Sequence, residues 1–456
     1  MLHKTVVLDV VGLSSSLIGE HTPFLQAYAA EHGLQRIAPM LPAVTTSVQS
    51  TYLTGKWPKE HGIVGNGWYD RIDCEVKFWK QSNKLVLSDK IWEKAKELDP
   101  DFTCAQLFGW YNMYSQADYS VTPRPNYLAD GRKIPDCYSR PAELRDYLQH
   151  RLGQFPLFQF WGPGANIKST QWIADAAMLT DKRFDPTLSF IYLPHLDYGL
   201  QKYGPHASEI RQSLMEIDRV VQQLVHYYQE QQARIIILSE YGICPVNRPI
   251  HVNRLLRKEG LLQVRVERGL ELLDPGASAA FAVADHQVAH IYVQDKRKIP
   301  MIQQLLAQLE GVKLILDRDA QQAYHIQHER SGDLLLMADA QSWFTYYFWL
   351  DDKKAPDYAR AVDIHKKPGY DPVELFMTSK GRAFYKLLRK KLGLRYVMDV
   401  IPLDATLVKG SHGSLAIDPA YYPVIMSDAT KQNTGELTAI DVYRVMWEAL
   451  SRELVR

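Results

Sequence analysis

Long apolar runs and closely spaced cysteines are both missing from this sequence of 456 residues. No segment approaches the roughly 20 apolar residues that a membrane-spanning helix requires, so we expect no membrane partner. The cysteines are scattered and form no Cys-x-x-Cys pair, which predicts free thiols and argues against a structural zinc site or a disulfide framework. They are Cys74, Cys104, Cys137 and Cys244. The apolar run after Met1 is too short for a signal peptide, so we expect a cytoplasmic protein.

The sequence also lacks an excess of charge of either sign. It contains 53 Lys and Arg residues against 52 Asp and Glu residues, a formal net charge of +1. Nucleic-acid-binding domains normally carry a basic surplus, and no such motif is present, so we expect no nucleic-acid polymer as a partner. A hydrophobic content of 46% is ordinary for a globular protein. The length allows a large core with a smaller inserted domain.

Short β-branched runs alternate with amphipathic stretches along the chain. The runs lie at Thr5–Val10, Leu188–Leu193 and Arg234–Leu238, and residues 208–229 have apolar side chains at helical spacing. This alternation predicts an α/β fold with a mostly parallel sheet sandwiched by helices. In such folds the loops at the carboxyl ends of the strands carry the chemistry.

The pattern changes between residues 276 and 340, where short strands surround one helix. Strands are predicted at 279–283, 290–293 and 312–316, and a helix at 300–309. We interpret this segment as a compact α+β insertion between two segments of the core, at 1–275 and 341–456. We expect the insertion to form a cap over the active site and to set the choice of substrate.

The densest motif lies at residues 41–66, where a threonine opens a predicted helix and is followed by Thr-Gly, Trp-Pro, His-Gly-Ile and an asparagine. This segment resembles the nucleotide pyrophosphatase/phosphodiesterase branch of the alkaline phosphatase superfamily. The resemblance extends from Thr5 to about Gly413, apart from the predicted insertion. It implies an alkaline phosphatase-like core, Thr45 as a catalytic nucleophile and Asn66 as a catalytic and substrate-binding residue that holds a phosphate oxygen.

Elementary chemistry supports a special role for Thr45. A threonine hydroxyl is a weak nucleophile until a metal ion or a base activates it, and a helix N-terminus offers backbone N–H groups to a phosphate. The alternative is that Thr45 only caps the helix, as threonine often does.

The resemblance also implies two divalent metal ions. One set of ligands comprises Asp9, Thr45 and Glu240, and the other comprises Asp197 and His412.

Three positions depart from the family pattern. Glu240 replaces an aspartate, while Gln201 and Tyr241 stand where the family has histidines. Oxygen ligands suit Mn²⁺ or Mg²⁺ better than zinc, so the identity of the ions is left open between zinc and these two. Tyr241 is instead expected to contact the substrate.

Other side chains are secondary candidates. His195, and His365 with Asp363, could restore the missing nitrogen ligands, with His286 a weaker candidate; hydrogen-bonded or surface histidines are the alternative. Arg124 could bind the phosphate, since its guanidinium matches phosphate geometry, although a solvated loop is the competing interpretation.

Together these motifs predict a hydrolase of phosphodiester or pyrophosphate bonds that acts through a phospho-threonine on Thr45. The expected substrate is small and phosphorylated or nucleotide-like, and the oligomeric state is left open. Two alternatives remain. One is a phosphomonoesterase or phosphonate hydrolase on the same scaffold; the other is a non-catalytic or repurposed protein that binds phosphate or metal.

Overall fold

A computed structural model describes residues 2–130, 132–394, 396–428 and 435–451. The β-strands are β1 (Thr5–Val10), β2 (Gln35–Arg36), β3 (Gly67–Asp70), β4 (Glu75–Phe78), β5 (Cys104–Leu107), β6 (Tyr119–Pro123), β7 (Asn126–Tyr127), β8 (Lys133–Ile134), β9 (Cys137–Arg140), β10 (Leu188–Leu193), β11 (Arg234–Leu238), β12 (Cys244–Pro245), β13 (Arg248–Ile250), β14 (Val264–Glu267), β15 (Leu270–Leu273), β16 (Ala280–Asp285), β17 (Val288–Val293), β18 (Val312–Leu316), β19 (Leu334–Ala338), β20 (Ser342–Phe344), β21 (Gly410–Ser411) and β22 (Val424–Met426). The α-helices are α1 (Pro23–His32), α2 (Thr45–Thr54), α3 (Pro58–His61), α4 (Ile91–Leu98), α5 (Ala142–Leu152), α6 (Leu157–Phe160), α7 (Ile167–Phe184), α8 (His195–Tyr203), α9 (Ile210–Glu230), α10 (Val252–Lys258), α11 (Ile299–Leu306), α12 (Ala320–Ala323), α13 (Lys380–Lys391) and α14 (Asp441–Ser451).

The central sheet has the strand order β2-β22-β11-β1-β10-β5-β6-β9. Its middle strands, from β11 to β6, run parallel, and the pairs at both edges are antiparallel. The predicted α/β fold with a mostly parallel sheet is therefore confirmed. In the register of the sheet Asp9 lies beside Tyr192 and Leu238, at the carboxyl ends of three adjacent strands.

Helices cover both faces of the sheet. Alternate side chains of β1 point to opposite faces, so they pack against different helices. Val6 and Leu8 pack into a core with residues of α7 and α9, whereas Val7 packs into a second core with residues of α2 and α14. Asp9 follows the alternation of Val7 and therefore points to the face that carries α2. Every residue of α2 is buried.

A second, antiparallel sheet with the order β16-β17-β19-β18 lies within the predicted insertion at 276–340. The expected helix at 300–309 is observed at Ile299–Leu306. The exact boundaries of the insertion stay a prediction. Within the described ranges, no helix combines the length and the apolar character that crossing a membrane would require.

Candidate active site

Thr45 is the first residue of α2 and is 4% exposed. Its Oγ1 lies 3.1 Å from the phenolic oxygen of Tyr241, which follows β11. The Tyr241 hydroxyl donates to Asp197 Oδ1 at 3.2 Å, and Asp197 lies in the first turn of α8, directly after β10. The structure therefore brings Thr45, Asp197 and Tyr241 together, as the strand-end pattern indicates.

These contacts fix the direction of the hydrogen bonds. Tyr241 has a single hydroxyl proton, which it donates to Asp197. It can then only accept from Thr45, so the Thr45 hydroxyl is the donor in that pair. The hydrogen bonds therefore run from Thr45 to Tyr241 and from Tyr241 to Asp197.

The other oxygen of Asp197 accepts a hydrogen bond from Gln201. Its Nε2 donates to Asp197 Oδ2 at 2.8 Å, while its Oε1 accepts from the Tyr370 hydroxyl at 2.8 Å. Burial raises the pKa of Asp197 to about 7, although the hydrogen bonds from Gln201 and Tyr241 act in the opposite direction. Gln201 and Tyr241, two of the departures from the family pattern, thus each donate a hydrogen bond to a different oxygen of Asp197.

Asp9 and Glu240 form a second acidic group on the α2 side of the sheet. Gln49, in the middle of α2, donates to Glu240 Oε1 at 2.5 Å. Both oxygens of Asp9 and the Oε2 of Glu240 are buried without a donor group that satisfies them. Burial raises the pKa of both acids, and the charge of Asp9 raises that of Glu240 further.

The unsatisfied oxygens of Asp9 and Glu240 fit one divalent cation of the Mg²⁺ or Mn²⁺ type, since these ions prefer carboxylate oxygen ligands. Zinc also binds Asp and Glu oxygens, but a pair without nitrogen or sulfur favours Mg²⁺ or Mn²⁺. In the part of the chain that is described, no three His, Cys, Asp or Glu side chains cluster in a way that could hold a metal ion.

Asp197 accepts one hydrogen bond on each oxygen, and His412 Nε2 is buried without a hydrogen-bond partner; the remaining lone pairs of both side chains also fit a cation. His412 Nε2 lies 4.0 Å from Asp197 Oδ1. The His412 Nδ1 contacts the carbonyl oxygen of Ala43 at 2.7 Å, and its ring stacks on Tyr241 with centroids 3.5 Å apart. Burial lowers the pKa of His412 well below its usual value, so the ring is neutral.

Asn66 is held by Asp285, a residue of β16 that the sequence did not single out for a role of its own. The Asn66 backbone N–H donates to Asp285 Oδ2 at 2.7 Å, and its Nδ2 donates to Oδ1 at 3.1 Å. Asn66 Oδ1 in turn accepts from the backbone N–H of Thr46 at 3.1 Å. The amide is therefore fixed beside the start of α2 with one Nδ2 hydrogen left over.

His286 connects this pair to the rest of the site. Its Nδ1 lies 2.8 Å from Asp285 Oδ1, and its ring lies 3.5 Å from that of Tyr370 and 3.8 Å from that of His412. His286, the weaker candidate of the sequence analysis, lies in the tight β16–β17 turn with a φ of +58°.

The secondary candidates lie elsewhere. His195 is 3.0 Å from Glu216 Oε2 on α9. Asp363 accepts from Lys366, and His365 approaches the carbonyl oxygen of Phe78; neither contacts Asp9, Asp197 or Glu240. The structure thus does not bring His195, Asp363 and His365 together with the acidic groups of the site, and their roles as metal ligands stay predictions.

Arg124 is exposed and its guanidinium lies 3.4 Å from Gln81 Oε1. It does not line the cavity that contains Thr45, whereas its neighbours Pro123 and Pro125 do. The structure thus places Arg124 outside the cavity lining, and its contact with the substrate phosphate stays a prediction.

A cavity of about 1020 Å³ opens in front of Thr45, Asp197 and Tyr241. Most of its lining residues lie at 123–130 and 132–133, at 157–164, and at 361–394 and 396–400. Of the described residues between 276 and 340, His286 alone lines it. The insertion therefore contributes little to the lining, and its expected role as a cap stays a prediction.

The sequence is similar to a known protein family and to individual relatives. The model of the type I phosphodiesterase/nucleotide pyrophosphatase family matches residues 5–371. An uncharacterised pyrophosphatase/phosphodiesterase of Schizosaccharomyces pombe is 23% identical over 238 residues, which are 50% of this chain and 39% of the yeast protein. Ectonucleotide pyrophosphatase/phosphodiesterase 1 of Saccharomyces cerevisiae is 25% identical over 276 residues, 54% of this chain and 35% of that protein. The matched regions thus span well under half of these relatives.

Solved structures show the same fold. Phosphonoacetate hydrolase from Sinorhizobium meliloti 1021, in complex with phosphonoacetate, superposes with a TM-score of 0.63 at 15% identity, covering 98% of this chain and 96% of that one. Murine ectonucleotide pyrophosphatase/phosphodiesterase 5, in an inactive form in complex with AMP, superposes with a TM-score of 0.59 at 13% identity, covering 100% and 96%. Because the family model matches most of its length, the chain belongs to the type I phosphodiesterase/nucleotide pyrophosphatase family of enzymes.

Proposed function

We propose that the protein hydrolyses phosphodiester or pyrophosphate bonds through a phospho-threonine on Thr45. The observation that carries this proposal is the position of Thr45, at the N-terminus of α2 and on the wall of the cavity, with its hydroxyl hydrogen-bonded to Tyr241. Backbone N–H groups in the first turn of a helix favour a bound phosphate. Membership of the family supports the same chemistry.

In the first step the Thr45 oxygen forms a bond to phosphorus and the bond from phosphorus to the leaving oxygen breaks. The Thr45 proton passes to the Tyr241 oxygen as the Tyr241 proton passes to Asp197 Oδ1. The leaving oxygen takes a proton from water. In the second step water attacks phosphorus and gives one proton to the hydroxide left by the first step, while the bond to Thr45 breaks and Thr45 regains its proton from Asp197 through Tyr241. This relay gives Thr45 a base that the chain itself supplies.

Two further groups act on the charge of the phosphoryl group. The remaining Nδ2 hydrogen of Asn66, which Asp285 holds in place, donates to a non-bridging oxygen. Asp9 and Glu240 would hold one divalent cation, which supplies positive charge beside the phosphate when it is bound.

The test is turnover of bis-(p-nitrophenyl) phosphate by protein stripped of metal and refilled with Mg²⁺, Mn²⁺ or Zn²⁺. Thr45→Ala should lose activity by a factor on the order of 10⁴ or more, whereas Thr45→Ser should keep a measurable rate and form a phosphorylated residue detectable by mass spectrometry. Thr54→Ala is the matched control, because its hydroxyl contacts Ser50 at the other end of α2. A fully active Thr45→Ala variant would end the proposal.

One observation favours a second candidate, a protein that binds phosphate esters without turnover. Gln201 and Tyr241, which stand where the family has histidine ligands, donate hydrogen bonds to Asp197. This candidate predicts that phosphodiesters, monoesters and phosphonates all bind, and that none is cleaved with any of the three ions.

A further inference from the structure

The exposed apolar side chains of the protein are concentrated in one short segment. Among the described residues, 19 large apolar or aromatic side chains are exposed, and eight of them lie between residues 377 and 397. Single exposed apolar residues are normal on a protein surface, whereas a cluster of them marks a site of interaction. The helix α13 lies at the centre of this segment.

One side of α13 is anchored to the protein. Lys386 Nζ lies 2.7 Å from Asp399 Oδ1, and Arg382 pairs with the same carboxylate. Helical geometry places Phe384 and Leu388 next to each other, on the side away from these two basic residues. Phe384 is 69% exposed and Leu388 is 43% exposed, and neither lines the cavity that contains the candidate active site. The outer side of α13 is therefore an apolar surface in solvent.

Positive charge is concentrated on the same helix. The 12 residues of α13 include six Lys or Arg residues and no acidic residue, although the formal net charge of the whole chain is only +1. The rest of the chain is therefore net negative, and the basic character belongs to α13 in particular. Lys380 and Lys391 are both exposed and lie on the same side of the helix as Phe384.

An anionic lipid surface matches this combination of side chains. A helix of this kind lies in the plane of the surface, with its apolar side chains among the acyl chains and its lysines at the headgroups. A second copy of the chain matches it less well, because a two-fold interface would bring two basic helices together. Lysine is also depleted in the core of protein interfaces.

We propose that α13 is a docking surface for an anionic lipid bilayer, into which Phe384 and Leu388 insert while Lys380 and Lys391 contact the headgroups. Leu392, which is 64% exposed, extends the apolar area beyond the end of the helix. Docking of this kind needs a helix at the surface of the bilayer, not one that spans it. The proposal therefore replaces the expectation of no membrane partner, which considered only spanning segments, and it does not depend on hydrolysis.

Vesicle binding by the full chain tests this surface. Sedimentation with vesicles of phosphatidylcholine, and with vesicles that also contain phosphatidylglycerol, measures the two partition coefficients at low and high salt. Each lysine near an anionic surface strengthens binding about fivefold. We therefore expect at least about tenfold tighter binding to the anionic vesicles, with a smaller difference at high salt. Equal binding to both kinds of vesicle, or binding to neither, overturns the proposal.

Two exposed apolar positions provide matched variants. Phe384→Asp combined with Leu388→Asp should weaken binding to the anionic vesicles at least about tenfold, because two apolar side chains are lost from the contact. Ile72→Asp is the control, since Ile72 is 94% exposed in the turn between β3 and β4, and it should leave binding unchanged. Both variants should keep the melting temperature of the wild type, because the replaced side chains are exposed. Equal binding by the double variant and the wild type, or an equal loss in Ile72→Asp, overturns the proposal.

The basic residues are tested in the same assay. Lys380→Gln combined with Lys391→Gln should weaken binding to the anionic vesicles about 10- to 30-fold and leave binding to phosphatidylcholine unchanged. Equal losses on the two kinds of vesicle would contradict the role of these lysines at the headgroups.

Sedimentation velocity without lipid distinguishes the membrane from a second copy of the chain. We expect the wild type and the variant with Phe384→Asp and Leu388→Asp to have the same oligomeric state. If the wild type associates with itself through this surface and the variant does not, α13 joins two copies of the chain, and docking to a membrane is rejected.

Discussion

Tyr241 donates to Asp197 at 3.2 Å and lies 3.1 Å from the hydroxyl of Thr45, so a neutral phenol occupies the space between the nucleophile and a carboxylate. Tyr241 and Gln201 stand at positions where the family pattern has metal-binding histidines. In this protein the same two side chains donate hydrogen bonds to Asp197. Thr45, Tyr241 and Asp197 thus form a continuous chain of hydrogen bonds.

The relay predicts a pH profile. Proton transfer from Thr45 needs ionised Asp197, whose pKa burial raises to about 7. Since the ionised fraction grows with pH, kcat/KM should increase about tenfold per pH unit below 7 and become level above it. Steady-state rates between pH 5 and 9 measure this profile.

The control for this profile is Tyr241→Phe, which removes the link between Thr45 and Asp197 while keeping the ring that stacks on His412. We expect kcat/KM to fall by about 10²–10⁴ and the dependence on Asp197 to disappear. An unchanged rate in Tyr241→Phe would show that Thr45 is activated by some other group.

The paired carboxyl groups of Asp9 and Glu240 predict stabilisation by a divalent cation. Both side chains are buried with unsatisfied oxygens, so bound Mg²⁺ or Mn²⁺ should raise the melting temperature by a few degrees. Glu240→Gln should abolish the shift, because it removes one of the two charges. Differential scanning fluorimetry with each ion, and with EDTA as the reference, measures this effect.

Without a cation the same pair predicts the sign of a pH effect on stability. Burial raises the folded-state pKa of Asp9 above its unfolded value of 3.8. The folded state therefore binds more protons, and its stability is greatest at pH values below about 4 for this group and is lost as pH rises through the raised pKa. In EDTA, Asp9→Asn should make the melting temperature less sensitive to pH between 5 and 8; an unaltered pH dependence would contradict this account.

Much of the site followed from the sequence because strand-end residues lie close together in a parallel sheet. Asp9, Asp197 and Tyr241 each follow one of three adjacent strands, β1, β10 and β11. Local patterns of β-branched residues were sufficient to place them. The motif at 41–66 then placed Thr45 at a helix N-terminus.

The rest depended on contacts between distant segments and on side-chain direction. Asp285 reaches Asn66 from a different sheet, 219 positions along the chain. Whether Gln201 would ligate a metal ion or satisfy Asp197 is decided by where its amide points, which a sequence does not specify. Much of the cavity lining likewise comes from residues 123–130 and 132–133 and from residues 361–394 and 396–400, which meet only in the folded chain.

Asp285 should act as a positioning residue for Asn66. Asp285→Ala removes the acceptor for two donors of Asn66 and leaves them buried, which should cost about 1–3 kcal/mol of stability. Because Asn66 would lose its orientation, we expect kcat to fall about 10- to 100-fold with a smaller change in KM. Asp285→Asn keeps one acceptor oxygen and should recover part of kcat, which a purely structural defect would not produce.

A buried ion cluster next to the site predicts a large effect on stability. Lys367 Nζ lies 2.7 Å from both Asp371 Oδ2 and Glu374 Oε1, and all three side chains are at most 2% exposed. Lys367→Met leaves two carboxylates buried without their cation, which should cost about 3–5 kcal/mol of unfolding free energy. Since Tyr370 lies between Lys367 and Asp371 in the chain and donates to Gln201, the variant should also weaken activity.

The adjacent Lys366 is a matched control for this cluster, because its side chain is 68% exposed and lies 3.6 Å from Asp363. Lys366→Met should change the unfolding free energy by no more than about 0.5 kcal/mol. Urea denaturation of both variants compares the two lysines directly. Equal losses in the two would show that removing a positive charge from this segment matters more than the buried pairing, and would contradict a structural role for Lys367.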